Sequence, residues 1–216
     1  MRFSRMIDLA SFFYQQRVKG FPAPTQAWLD PEALAWFEAK LGQAQFYLEF
    51  GSGGSTRLAA ELGVKTISIE CDRFFARSVR DALPPPHQVT IMDIDIGLTG
   101  PWGVPQPGTP NPRRLVKWRR YIERPFANMT GFPDLVLVDG RFRRACALRC
   151  ALAAREANAS ADLLFDDYYL EGRSTYQDIE ALLGKPERIG KAAYFLIEPD
   201  NRITAADVES AMQDYR

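Results

Sequence analysis

The stretch FYLEFGSGGSTRL, residues 46–58, decides the fold of this chain. An apolar run ends in Gly51, Gly53 and Gly54, and a segment of helical character follows these glycines. Glycines at such a junction let a ligand approach the backbone without meeting a Cβ atom. The free N–H groups at the start of the following helix favour a carboxylate or a phosphate. The stretch therefore predicts a strand, a ligand-binding loop at 49–56 and a helix.

Short apolar runs alternate with helical segments on both sides of this loop. Strands are predicted at 46–50, 65–69, 89–92, 135–138 and 163–165. Helices are predicted at 30–42, 55–62, 73–83, 143–158, 175–183 and 204–215, and a hairpin at 188–197. Such alternation is typical of a Rossmann-like α/β three-layer sandwich, in which helices cover both faces of a mostly parallel sheet. The terminal hairpin predicts an antiparallel pair at one edge of that sheet.

Two regions are predicted, an N-terminal helical extension at 1–42 and the α/β domain at 43–216. The extension begins with a short amphipathic helix whose apolar side carries Met6, Leu9, Phe12 and Phe13. We expect this helix either to dock on the core or to form a contact between subunits. The second alternative predicts a homodimer.

Composition argues against several classes of protein. Lys+Arg and Asp+Glu both number 27, which leaves no net charge, whereas a general nucleic-acid binder is usually basic. His87 is the sole histidine, which argues against a His-based hydrolase or zinc site. The sparse cysteines favour reduced thiols and a cytoplasmic protein. No apolar run approaches the ~20 residues that span a bilayer, so no membrane span is expected.

Three residues in or near the glycine loop limit the ligands that it can bind. Glu70 ends the second predicted strand, where its carboxylate can accept two hydrogen bonds from a ribose diol. A nicotinamide dinucleotide normally requires a third glycine where this chain has Thr56, and Glu49 also disfavours a pyrophosphate. S-adenosylmethionine has no phosphate and tolerates both residues. It is the favoured ligand, and a nicotinamide dinucleotide or an empty glycine turn are the alternatives.

The segment 49–55 resembles motif I of class I S-adenosylmethionine-dependent methyltransferases, and 68–70 resembles their second motif. The chain also resembles uncharacterised bacterial methyltransferase-like proteins that carry the segment found here at 138–143. The resemblance implies a seven-stranded sheet in the order 3-2-1-4-5-7-6. It also implies that Glu70 holds the ribose, that the loop holds the methionine part, and that Asp93 lies near the adenine. The expected cofactor-binding residues are Glu49, Gly51, Ser52, Gly53, Gly54, Ser55, Thr56, Glu70, Cys71, Asp93 and Asp139.

Carboxylates follow the fourth and fifth strands, where Asp139, Asp166 and Asp167 are expected to point into one crevice. Asp139 and Asp166 are the candidate catalytic residues, because methyl transfer to oxygen or nitrogen requires removal of a proton. Three close carboxylates repel one another unless they are protonated or bridged by a cation, and Mg²⁺ or Mn²⁺ suits oxygen ligands. The set is similar to that of cation-dependent O-methyltransferases, with Asp167 in place of their asparagine. Alternatively, Asp166 or Asp167 caps a turn or pairs with Arg141 or Arg143.

A basic segment at 113–124 lies between the third and fourth strands. Arginine forms forked contacts with carboxylates and phosphates, and aromatic rings stack on sugars. The candidate acceptor-binding residues are Arg113, Arg114, Trp118, Arg120 and Arg141. The alternative is a solvated helix face whose charges are ion-paired.

These features together predict an S-adenosylmethionine-dependent methyltransferase that acts on an oxygen of a small or saccharide-like acidic acceptor. A methyltransferase-like fold that only binds or interacts is a second possibility, because fold does not determine activity. A nucleotide-binding oxidoreductase of the NAD type is the third.

Overall fold

The computed structural model of the protein describes residues 10–215 and contains one seven-stranded sheet in the order β3-β2-β1-β4-β5-β7-β6. Strands β1 to β5 run parallel, and β7 is antiparallel to both β5 and β6. The strands are β1 Phe46–Phe50, β2 Lys65–Glu70, β3 Val89–Asp93, β4 Leu135–Val138, β5 Ala161–Phe165, β6 Glu187–Ile189 and β7 Ala192–Ile197. The predicted fold class and strand order are confirmed.

Helices connect these strands and cover both faces of the sheet. They are α1 Pro31–Leu41, α2 Gly54–Glu61, α3 Arg73–Asp81, α4 Pro112–Asn128, α5 Arg143–Ala157, α6 Glu180–Leu183 and α7 Ala205–Ala211. A π-helix at Gln15–Lys19 continues an α-helical stretch at residues 10–14, and 3₁₀-helices lie at Pro101–Gly103 and Ser174–Ile179. Two differences from the sequence-based assignment stand out. The helix predicted at 175–183 is 3₁₀ in its first part, and the basic segment lies inside the long helix α4.

Helix α4 begins where the sequence places a capping residue and a proline. The side chain of Asn111 accepts a hydrogen bond from the Arg114 N–H at 3.0 Å, and Pro112 occupies the first turn. Both features are typical of helix starts, because they satisfy or avoid the free N–H groups of that turn. Strands β1 and β4 are buried along their whole length, as expected of central parallel strands covered on both sides.

The described part of the predicted extension packs on the sheet. Asp30 caps α1, accepting from the Glu32 N–H at 3.2 Å, and its other oxygen accepts from the Lys191 N–H at 2.9 Å. The apolar face of α1, with Phe37 and Leu41, is buried against the sheet. Preceding it, Phe12 contacts Phe21, and Phe21 contacts Phe75 of α3.

The predicted amphipathic helix at the start of the chain is only partly covered by the structure. Met6 and Leu9 lie outside the described residues, and a homodimer contact through this segment stays a prediction. Among residues 10–215, no helix combines the length and the apolar character needed to cross a membrane.

Candidate active site

The loop after β1 is held directly against the loop after β4. Gly51 has φ of 102°, and a Cβ atom added there would lie 2.9 Å from the backbone nitrogen of Gly140. The Asp139 N–H donates to the Phe50 carbonyl at 2.9 Å, which joins the two strand ends at the same level. Glycine is needed at position 51 because its φ and the close approach both exclude a side chain. This contact brings Asp139 beside the glycine loop.

Glu49 supports the glycine loop from inside the protein. Its carboxylate is fully buried and accepts hydrogen bonds from the Tyr47 hydroxyl at 2.8 Å, the Ser55 hydroxyl at 2.6 Å and the Thr56 hydroxyl. The Thr56 oxygen in turn accepts from the Gly53 N–H at 2.8 Å. Burial raises the pKa of Glu49, and its hydroxyl donors oppose that shift. The glycine loop is therefore held from the protein interior by Glu49, Ser55 and Thr56. Thr56 stands where a dinucleotide-binding loop has its third glycine, and its hydroxyl closes the turn through the Gly53 N–H.

Glu70 lies at the end of β2 with its carboxylate held by backbone amides. One oxygen accepts from the N–H groups of Cys71 at 2.6 Å and Asp72 at 2.8 Å, and the other from the Ser52 N–H at 3.2 Å. Burial raises the pKa of Glu70 to about 7, because the amide donors offset only part of the desolvation. The carboxylate thus reaches the glycine loop itself. Ser68, which was not singled out from the sequence, shares a 2.6 Å hydrogen bond with Ser52 on the same loop.

The carboxylates after β4 and β5 converge, and the guanidinium of Arg143 lies among them. Its Nη2 lies 2.8 Å from Asp139, and its Nη1 lies 3.3 Å from Asp167 and 3.8 Å from Asp166. The same guanidinium donates to the carbonyl oxygens of Asp166 at 2.6 Å, Asp139 at 3.1 Å and Gly140 at 3.1 Å. Arg143 is only 3% exposed. It therefore joins the carboxyl ends of two neighbouring strands through both backbone and side chain.

This architecture matches that of known structures. A methyltransferase-like protein from Silicibacter pomeroyi is similar at 34% identity with a TM-score of 0.73, over 88% of this chain and 98% of that chain. The chain belongs to the class I S-adenosylmethionine-dependent methyltransferases.

A more distant methyltransferase shares the fold alone. An O-methyltransferase from Bacillus cereus, in complex with S-adenosylhomocysteine, is 14% identical with a TM-score of 0.50 over 88% of each chain. Searches of family models and of curated proteins gave no match.

Protonation reduces the negative charge of the three carboxylates in this methyltransferase. Burial and the neighbouring carboxylates raise the pKa of Asp166 to about 8, and Arg143 opposes this shift. Burial also raises the pKa of Asp139, which Arg143 and a hydrogen bond from Asp166 oppose. A protonated Asp166 donating to an ionised Asp139 leaves two negative charges around one guanidinium. The proton and the arginine together relieve the repulsion that close carboxylates create.

A divalent metal does not fit this arrangement without displacing Arg143. Asp139, Asp166 and Asp167 each offer an oxygen, and these atoms lie within 4.8 Å of one another, a donor set that suits Mg²⁺ or Mn²⁺. The guanidinium of Arg143 already supplies a positive charge between them, because it lies within 3.8 Å of all three carboxylates. The pairing of Asp166 and Asp167 with Arg143, the alternative drawn from the sequence, is the arrangement found.

The predicted acceptor-binding residues fall into two groups. Arg113 and Arg120 are exposed on α4, and the Arg114 guanidinium donates to the Thr109 carbonyl at 2.6 Å. Trp118 is fully buried, and its indole N–H donates to the Ile96 carbonyl at 3.2 Å. The Trp118 ring is therefore not accessible to an acceptor, because it packs in the hydrophobic core.

Other basic residues of α4 form ion pairs on its surface, as expected if the basic segment is a solvated helix face. Lys117 pairs with Asp95 at 2.6 Å, and Arg119 pairs with Glu209 at 2.5 Å. Part of the basic segment is therefore an ion-paired surface.

The remaining predicted cofactor residues lie at the ends of β2 and β3. The Cys71 sulfur lies 3.7 Å from the Gly103 carbonyl oxygen, so the loop after β3 packs over the end of β2. Asp93 is exposed at the end of β3, 3.7 Å from the guanidinium of Arg80.

A cavity of about 450 Å³ opens beside the carboxylates, and the extension forms much of its wall. Asp166 and Asp167 line one side, while Trp28, Leu34 and Lys191 line others. The Trp28 side chain is 70% exposed. Trp28 and Lys191 could not be selected from the sequence, because each is separated along the chain from the carboxylates and only the sheet topology brings them together.

Proposed function

We propose that the protein is an S-adenosylmethionine-dependent methyltransferase that methylates an oxygen of a small, saccharide-like acidic acceptor. The backbone contact between Gly51 and Gly140 carries the proposal, because it sets a cofactor loop and a candidate base, Asp139, side by side. Pre-set alignment of two reactants is the main means by which an enzyme accelerates a direct displacement.

The cofactor is assigned to the loop at 51–54 and to its neighbours at the strand ends. Glu70 accepts hydrogen bonds from the ribose diol, and the Ser52 N–H already ties this carboxylate to the loop. Cys71 and Asp93 border the adenine side. Glu49, Ser55 and Thr56 act through the shape of the loop rather than by direct contact, since their polar atoms bond to one another inside the protein.

Asp139 is the proposed general base. The bound cofactor supplies an electrophilic methyl group on its sulfonium. Asp139 would take the proton from the acceptor hydroxyl, whose oxygen would receive the methyl group of bound S-adenosylmethionine and leave S-adenosylhomocysteine. Arg143 and the protonated Asp166 hold the Asp139 carboxylate in place through hydrogen bonds. Burial raises its pKa, which makes it a stronger base than an exposed aspartate.

The cavity beside Asp166 supports a saccharide-like acceptor. An exposed indole such as that of Trp28 stacks on the apolar face of a sugar ring. The carboxylate of Asp167 accepts hydrogen bonds from ring hydroxyls, and Lys191 pairs with an acidic substituent. The exposed Arg113 and Arg120 of α4 add positive charge on the surface for an acidic molecule.

Calorimetry with S-adenosylmethionine, S-adenosylhomocysteine and NAD tests the cofactor assignment. We expect the first two to bind and NAD not to bind. In E70Q, affinity for S-adenosylhomocysteine should fall about tenfold, equal to ~1.4 kcal/mol, because an amide presents one acceptor oxygen instead of two. Wild-type affinity should also fall as the pH drops below about 7, the pKa of Glu70, since a protonated carboxyl accepts fewer hydrogen bonds. E61Q, at an exposed position of α2, is the matched control.

Activity separates an enzyme from a binding protein of the same fold. In D139N, turnover of an acidic sugar acceptor should fall by roughly 10²–10⁴ while S-adenosylhomocysteine still binds. Failure of both sulfur ligands to bind would contradict the proposed cofactor. Binding without turnover of any acceptor would favour the non-catalytic interpretation.

A further inference from the structure

Arg141 is a buried arginine whose charge has no partner among the described residues. It is 6% exposed, its Nε atom has no hydrogen-bond partner, and none of the ion pairs within residues 10–215 includes it. Other enclosed arginines form ion pairs, including Arg144, whose Nε atom also lacks a hydrogen-bond partner. Arg144 lies 2.7 Å from Asp178, and Arg149 lies 2.7 Å from Glu123. Buried charges in proteins are normally paired, because removal from water is otherwise costly.

The groups around Arg141 do not supply the missing negative charge. The titratable groups that act on Arg141 include the Cys71 thiol, the Tyr121 phenol and the positive Arg143. Burial raises the pKa of Cys71 and of Tyr121 well above their usual values, so both stay neutral near neutral pH. The Asp139 carboxylate also interacts with Arg141, but its ion pair, at 2.8 Å, is with Arg143.

The loop at 99–105 covers this arginine. A bridge between Thr99 and Pro105 closes the loop on itself, and Gly103 has φ of 69°. A Cβ atom added at Gly103 would lie 2.6 Å from the Cys71 sulfur and 3.8 Å from Cγ of Arg141. The loop therefore rests directly on the end of β2 and on Arg141, at the same edge of the sheet as Glu70 and Asp139.

We propose that Arg141 is the receptor for an anionic group of a bound ligand, a carboxylate or a phosphate, beneath the loop at 99–105. Its planar guanidinium presents parallel N–H donors that match the two oxygens of such a group. The inference rests on the proposed function for the identity of the ligand. The anion belongs either to the methionine part of the cofactor or to the acidic acceptor.

The test compares Arg141→Met with Arg149→Met, which removes an arginine paired with Glu123 and Glu156. Methionine keeps most of the aliphatic stem and removes the charge. Without ligand, the melting temperature of R141M should equal or exceed that of wild type, because an unpaired buried charge is gone. That of R149M should fall, because its acidic partners lose their counter-ion. Inorganic phosphate should raise the melting temperature of wild type and R149M but not that of R141M.

Two analogues of the cofactor, one with and one without the methionine carboxylate, identify the source of the anion. S-adenosylhomocysteine carries the methionine carboxylate, and 5′-methylthioadenosine lacks it. If R141M loses at least tenfold affinity for the former and none for the latter, the anion is that of the cofactor. If S-adenosylhomocysteine binds R141M and wild type equally while the phosphate effect is lost, the anion is that of the acceptor.

The proposal is overturned if R141M melts below wild type as R149M does, with its phosphate response and S-adenosylhomocysteine affinity unchanged. Arg141 would then be a structural residue. Failure of wild type to bind either sulfur ligand would instead refute the cofactor assignment, and the phosphate comparison would still decide the role of Arg141. Arg141→Lys, which keeps the charge without the fork, should recover part of the phosphate effect.

Discussion

Arg141 and Arg143 follow the same strand and are both buried, yet their surroundings are opposite. Arg143 contacts three carboxylates and three backbone carbonyls, so its positive charge is compensated within the protein. Arg141 forms no ion pair within residues 10–215, and the Asp139 carboxylate that interacts with it is paired with Arg143. The comparison separates an arginine whose charge is paired within the fold from one whose charge is available to the proposed anionic ligand. Burial alone does not distinguish the two roles, whereas the count of partners does.

Removal of Arg143 should be the most damaging change in this comparison. In R143M, the free energy of unfolding should fall by about 3–5 kcal/mol, because Asp139 and Asp167 lose their counter-ion and three backbone carbonyl groups lose a charged hydrogen-bond donor. Denaturant unfolding followed by circular dichroism measures the effect. R57M, which removes an exposed i,i+4 pair with Glu61, should cost less than about 0.5 kcal/mol. A loss in R143M no larger than that of R57M would refute the role given to Arg143.

The proton held by Asp166 should make stability depend on pH. The folded protein keeps this proton up to a pKa of about 8, whereas the unfolded chain releases it near the ordinary value of 3.8. The folded state therefore binds more protons between these values, and the free energy of unfolding should fall as pH rises from about 4 to about 8. D166N cannot ionise, so its stability should decline less and exceed that of wild type above about pH 8. A parallel decline in both proteins would contradict the shared proton.

Divalent ions should have the smallest effect. Because Arg143 already serves the carboxylates, neither EDTA nor Mn²⁺ should change the melting temperature or the activity of wild type. In R143M the carboxylates lose that cation, and Mn²⁺ should then raise the melting temperature of the variant. An EDTA-sensitive wild type would restore the metal site inferred from the sequence.

Much of the fold follows from local patterns. The glycine loop, Glu70 and the carboxylates after β4 and β5 were placed correctly, because the ends of parallel strands meet at one edge of the sheet. Helix caps such as Asp30 also marked a helix start correctly. These features depend on residues close together in the chain.

The features that could not be predicted from the sequence depend on contacts between residues far apart in the chain. Arg141 and Arg143 are indistinguishable in a basic run, and only the positions of Asp166 and Asp167 separate them. The sequence places Trp118 among arginines and predicts that it binds the acceptor, yet α4 places its side chain in the core. Trp28 reaches the carboxylates only because α1 docks beside β5 and the hairpin. Such contacts follow from tertiary packing, which periodicity does not specify.

The meeting of Gly51 and Gly140 has a consequence for how such a protein diversifies. A Cβ atom at Gly140 would lie 2.2 Å from the Tyr121 hydroxyl, so neither glycine tolerates replacement without movement of the backbone. The spacing between the glycine loop and Asp139, the proposed base, is therefore fixed by the backbone. Trp28, Leu34 and Lys191 instead line the cavity with side chains. We expect mutation to change this wall of the proposed acceptor site without altering the spacing between the loop and Asp139.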